Sequence, residues 1–173
     1  MNGLVMLVLI LGGALVQVVI PGSTVLGSAK IPALAAIVVY YALARRRRDV
    51  LWAAVLAGMV QDGMGLIPFG YSSFAYCALG LMIARCKELV FVHEMITHML
   101  LGFLMAFGAT LLSFFLLTST GLIEMNVSQA FHKAFGGALL GAIATPFVFR
   151  VCERLDRLMG LVESRDSAWQ EVL

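Results

Sequence analysis

The side chains able to do chemistry are few, and each is judged by its spacing. His93, Glu94 and His98 carry the residue types of a zinc-protease motif, which needs two histidines at i and i+4 so that both face one ion. Here they stand five apart, about 140° around a helix, and cannot share a metal. Glu94 and His98 are themselves at i and i+4, so they can pair, and a proton relay is the functional reading of that pair. Ser72, Ser73 and Ser113 lack the Gly-x-Ser-x-Gly setting of an exposed nucleophile, and the glycine-rich stretches lack the Lys-Ser/Thr of a phosphate loop. Cys77, Cys86 and Cys152 show no paired spacing and read as small packing residues. These exclusions point away from an enzyme, and from a metal, a cofactor or nucleic acid.

One charged residue asks for a reason. Asp62 lies in GMVQDGMGLIPFG, residues 58–70, between an apolar helix and an apolar Gly/Pro-rich loop, and no Lys or Arg lies between Asp49 and Arg85 to pair with it. Its carboxylate can cap a turn by accepting from following amides such as those of Met64 or Gly65. Alternatively it is a buried polar anchor that faces a cavity or a partner helix, since ionisable groups inside a membrane are costly and tend to be functional.

The elements that position these residues follow from composition. Of 173 residues, 61% are hydrophobic and 13% charged, with a mean hydropathy of +0.97, outside the range of a soluble domain. The fold class is therefore an all-α integral membrane protein. Apolar segments run at about 3–20, 31–44, 50–62, 71–85, 95–117 and 131–150, giving six transmembrane helices in a domain covering 1–163 and a polar cytoplasmic tail at 164–173. Residues 4–20 exceed a signal-peptide core and no Lys or Arg precedes them, so they read as a retained first helix. With the N-terminus inside, the inner loops hold Arg45 to Arg48, Arg85, Lys87, Arg150, Arg154, Arg157 and Arg165, and the outer loops only Lys30 and Lys133. Ten against two is the asymmetry expected of a membrane protein with both ends in the cytoplasm.

Spans two, three and four have roughly 13 to 15 residues, about 20–23 Å, against a hydrocarbon core of about 30 Å. Their inner ends are pinned by arginines, so the shortfall falls at the outer end. The 63–70 loop then dips into the membrane, where Gly63, Gly65 and Gly70 allow unusual backbone and Pro68 removes one unsatisfied donor.

Lys30-Ile-Pro32 opening a span that ends Val39-Tyr-Tyr-Ala-Leu43, then a basic turn, Gly58-x-x-x-Asp62 and Pro68-x-Gly70, resembles the rod shape-determining family MreD. That pattern covers about residues 25–90, and chain length and span count agree over the whole. The resemblance implies a non-enzymatic scaffold of the cell-wall elongation machinery. It would bind the bitopic protein MreC and act indirectly with MreB, RodA and a class B penicillin-binding protein in lateral peptidoglycan synthesis. Gly58, Asp62, Gly65, Pro68 and Gly70 are the residues that would serve a partner or cavity. The family also resembles the six-helix substrate-binding subunits of vitamin transporters, which supplies a rival function: a vitamin-binding subunit of an uptake system.

Two further patterns concern contacts. Gly102, Ala106 and Thr110 in span five, and Gly137, Gly141 and Thr145 in span six, form small-residue strips that let helices approach closely. They pack on each other, or one of them receives a partner helix or a second copy in a homodimer. Arg45 to Arg48 set topology and lie among lipid headgroups. Beyond Arg150, apolar Val151, Leu155, Leu158, Met159 and Val162 against a charged face predict an amphipathic helix lying on the inner surface.

Overall fold

The computed structural model describes residues 3–20, 31–65, 70–86, 95–120 and 127–158. Among them are six helices: α1 Gly3–Val19, α2 Ala33–Ala44, α3 Arg47–Gly65, α4 Tyr71–Cys86, α5 Met95–Ser119 and α6 Val127–Leu158.

The chain is built around α2. Its sequence is apolar on every side, and a helix of that kind finds no polar face to give to water. Residues 33–43 are buried without a break, and α2 touches each of the other five helices. At 12 residues it is about 18 Å long, and its partners rather than a solvent line it on all sides.

Every other helix shows the reverse of a soluble fold. Leu15 and Val19 of α1, Trp52 of α3, Phe74 and Met82 of α4, Ile96 and Phe115 of α5, and Ile143 and Phe147 of α6 are exposed, whereas Asp62, Asp156, Gln17 and Thr145 are buried. An apolar exterior around a polar-bearing interior fits a lipid solvent. By length and apolarity, α5 and residues 130–156 of α6 are the two described segments able to cross a membrane alone.

The expected bounds of the third helix are corrected. The third helix is not a 50–62 segment but has 19 residues, about 28 Å, so the shortfall assigned to it shrinks without closing, since its first three residues are Arg47, Arg48 and Asp49. It opens early because the Arg46 carbonyl accepts from the Asp49 and Val50 amides, and Asp49 in the first turn suits the positive end of the helix dipole. It ends late because Gly63 and Gly65 remain helical. The helices that do stay short are α2 and α4, the latter with 16 residues. Residues 66–69, which include Pro68 and most of the loop expected to dip, lie outside the described residues.

The sixth helix also differs from expectation. It runs unbroken for 32 residues through a buried Pro146, so residues 151–158 extend it rather than forming a separate surface helix. Phe149, Cys152 and Asp156 face inward and Val151 outward, because the stripe that packs on α2 continues to the helix end. Membrane helices tolerate such a proline where neighbours re-satisfy the backbone. The carbonyl left without its i+4 amide is that of Ala142; the Thr145 hydroxyl beside it serves the Gly141 carbonyl, 2.7 Å away.

Candidate functional site

Interior polar groups collect at the two ends of the bundle. At one end α3 finishes beside the start of α4, and Asp62, fully buried, reaches across. Its Oδ2 accepts from the Gly70 amide at 2.8 Å and its Oδ1 from the Ser72 amide at 3.0 Å. These are amides of the helix N-terminus, which has no intrahelical partner for them and carries partial positive charge. The expected acceptance from Met64 or Gly65 is corrected: both residues are still inside α3, so their amides are spent on its own carbonyls. Asp62 therefore closes the end of a neighbouring helix rather than its own turn.

Gly70 makes that closure possible. Its φ of +111° suits glycine, its amide donates to Asp62, and its carbonyl accepts from the Phe74 amide as the first bond of α4. Gly58, one turn before Asp62, lies so close to α4 that a Cβ there would fall on the backbone of Ser73. The Ser73 hydroxyl then donates to the Val55 carbonyl at 3.2 Å. Gly65 is exposed at the end of α3. Of the five residues singled out from 58–70, the structure brings Gly58, Asp62 and Gly70 into one α3/α4 junction. Beside it, the Gln17 amide of α1 donates to Gln61 of α3 at 2.8 Å, and Gln17 Oε1 is buried without a partner.

At the opposite end, Asp156 of α6 is buried and accepts from the Tyr40 hydroxyl of α2 and from Arg45 Nη2 at 2.7 Å. Tyr40 meets Phe149 edge-on at 5.1 Å, and Phe149 stacks on His98 of α5 at 4.0 Å. A carboxylate, a guanidinium, a phenol and two further rings thus tie α2, α5 and α6 where the arginine run begins. Asp156 does not stand out in the sequence, and Tyr40 does so only as part of Val39-Tyr-Tyr-Ala-Leu43. A signal was nonetheless present: Ala138, Thr145, Phe149, Cys152 and Asp156 continue one helical stripe at steps of three, four and seven.

The small-residue strips face each other. A Cβ on Gly102 would strike the Thr145 side chain, and one on Gly141 would come within 2.8 Å of the Ala106 Cβ and 2.9 Å of the Gly102 carbonyl oxygen. Gly137 looks toward Thr110. All five named positions, Gly102, Ala106, Gly137, Gly141 and Thr145, are buried, so α5 and α6 occupy each other's strip and leave it closed to a partner helix or a second copy. His93 and Glu94 lie outside the described residues. Among the described residues no three His, Cys, Asp or Glu side chains converge on a metal position. The arrangement's chemistry is hydrogen bonding and charge pairing that fix helix ends.

The family model described as rod shape-determining protein MreD matches residues 1–155. No curated protein and no solved structure matches.

Proposed function

Because the chain belongs to the MreD family of rod shape-determining proteins, we propose that it is a multi-pass, non-enzymatic scaffold of the bacterial cytoplasmic membrane. In this reading it binds MreC and, through it, helps organise lateral peptidoglycan synthesis with MreB, RodA and a class B penicillin-binding protein. The family match over most of the chain carries the reading.

Several features support it. The apolar exterior fits lipid contact on five helices. The Arg45–Asp156 pair brings the basic turn and the end of α6 to one face, while the Gln17–Gln61 and Asp62–Gly70 bonds bring the ends of α1 and α3 to the other. That alternation is what six crossings with both termini inside require, and the ten-to-two basic asymmetry puts the arginine face in the cytoplasm. The buried carboxylates, Asp62 and Asp156, are spent on helix-end contacts, as befits a rigid frame that presents surfaces. With the α5/α6 strip closed, the surface left for the transmembrane part of MreC is the outer apolar face of the helices around α2.

The test is purification of the tagged full chain in mild detergent from rod-shaped cells, with identification of what accompanies it. MreC in the eluate is the expected result. A bound vitamin with an ATPase module and no MreC would overturn the reading in favour of an uptake subunit.

A further inference from the structure

The four consecutive arginines at 45–48 are not equivalent. The Arg45 guanidinium turns into the bundle, where Asp156 matches its charge at 2.7 Å. Arg46, Arg47 and Arg48 stay exposed, and their acidic neighbour Asp49 is half-buried in the first turn of α3. The same face carries exposed Arg85, Arg150 and Arg154 against one exposed acid among the described residues there, Glu153.

The second observation concerns depth. Arg47 lies one helical turn from exposed Leu51, and Arg48 one turn from Trp52, which is 63% exposed. The pattern repeats on other helices: Arg85 follows Met82, and Arg150 follows Phe147, each pair three residues apart with both members exposed. A charged ring one turn outside an apolar ring, with a tryptophan at the boundary, is the profile of a headgroup layer. An acidic protein surface would match the charge, but it would not explain bulky apolar side chains alongside Arg47, Arg48, Arg85 and Arg150.

We propose that Arg46, Arg47 and Arg48 form a binding surface selective for the phosphate headgroups of anionic phospholipids, from which Arg45 is withdrawn by Asp156. The proposal rests on the membrane reading above and adds a lipid class to it. Guanidinium groups suit the role because their fork of donors meets two phosphate oxygens at once.

The experiment reconstitutes the full chain in phosphatidylcholine vesicles containing a trace of spin-labelled phosphatidylglycerol or spin-labelled phosphatidylcholine, and compares the motionally restricted fraction of each label. Each basic side chain at the surface is worth about fivefold in association. The parent should therefore prefer phosphatidylglycerol by ~10-fold or more, a preference that fades in about 1 M salt, where charges are screened beyond about 3 Å. The R46Q/R47Q/R48Q variant should lose most of that preference, keeping only the share that exposed Arg85, Arg150 and Arg154 supply, R46K/R47K/R48K should retain most of it, and Arg45→Gln should keep it in full. If the glutamine variant fails to fold, salt on the parent and the lysine variant still decide.

Equal restriction of the two lipids by the parent overturns the proposal, as does a preference that survives undiminished in the glutamine variant. So does tight capture of a polyglutamate peptide by a parent indifferent to lipid charge, which would assign the arginines to an acidic protein. A chain that restricts neither label contradicts the membrane reading itself, which separates the two failures.

Discussion

Asp62→Ala is the perturbation with the most specific consequence. The native carboxylate accepts two backbone donors at 2.8 and 3.0 Å, and its residue is fully buried. A hydrogen bond to a charged group contributes about 1.5–3 kcal/mol, and a buried donor left alone costs about 1–3 kcal/mol. Two such bonds sharing one acceptor group do not add fully, so we expect a loss of about 3–5 kcal/mol for alanine. Asparagine keeps one accepting oxygen but turns an NH2 toward the second amide, so about half that loss is expected. The assay is SDS-titrated unfolding of the full chain in mixed micelles, followed by helical circular dichroism, with hydrogen exchange of the Gly70 and Ser72 amides as the local readout. Exchange at those two positions should rise in Asp62→Ala while α5 and α6 stay protected. Stability within about 0.5 kcal/mol of the parent, with unchanged exchange at Gly70 and Ser72, would refute the capping argument. MreC capture per folded molecule then separates the two readings of Asp62: unchanged capture leaves it structural, and lowered capture makes it a partner anchor.

Other consequences follow from the same contacts. Asp156→Asn should destabilise by about 3 kcal/mol because Arg45 and Tyr40 lose a buried partner, and the double variant with Arg45→Gln should show a coupling of about 1–3 kcal/mol in a double-mutant cycle. Gly58→Ala should cost about 1–3 kcal/mol through overpacking against Ser73, and Gly141→Leu should leave little folded protein, measured as monodisperse yield in detergent. Gly70→Ala meets open space, so its cost comes from the backbone alone, about 1–3 kcal/mol in the same unfolding titration.

What could be read from the sequence was the pattern that lipid and close packing impose. Small residues at every fourth position announce a tight helix pair, and Gly102, Ala106, Gly141 and Thr145 are found in one. Asp62 announced itself by having no charged neighbour in the chain, but its partners could not be read, because they depend on where α3 stops. Gly63 looks like an end and is not one when tertiary contacts hold the helix on to Gly65. Asp156 was hidden for the opposite reason. Among Arg150, Glu153 and Arg154 a carboxylate looks like part of a solvated face, and only continuity of α6 through Pro146 carries it to the buried stripe. The complete burial of α2 was equally illegible, since an apolar helix has the same sequence whether lipid or protein surrounds it.

The central claim is a bundle threaded through the membrane with its arginine end in the cytoplasm. It is tested most directly by side-specific cysteine labelling in a chain whose three native cysteines are replaced by alanine. Arg46→Cys, Arg154→Cys and Thr120→Cys change exposed positions at the two ends of the bundle. An impermeant maleimide applied to intact spheroplasts should modify only the Thr120 variant, with the other two reacting after permeabilisation. Labelling that places positions 46 and 154 on different sides, or position 120 on the same side as either, would contradict the account.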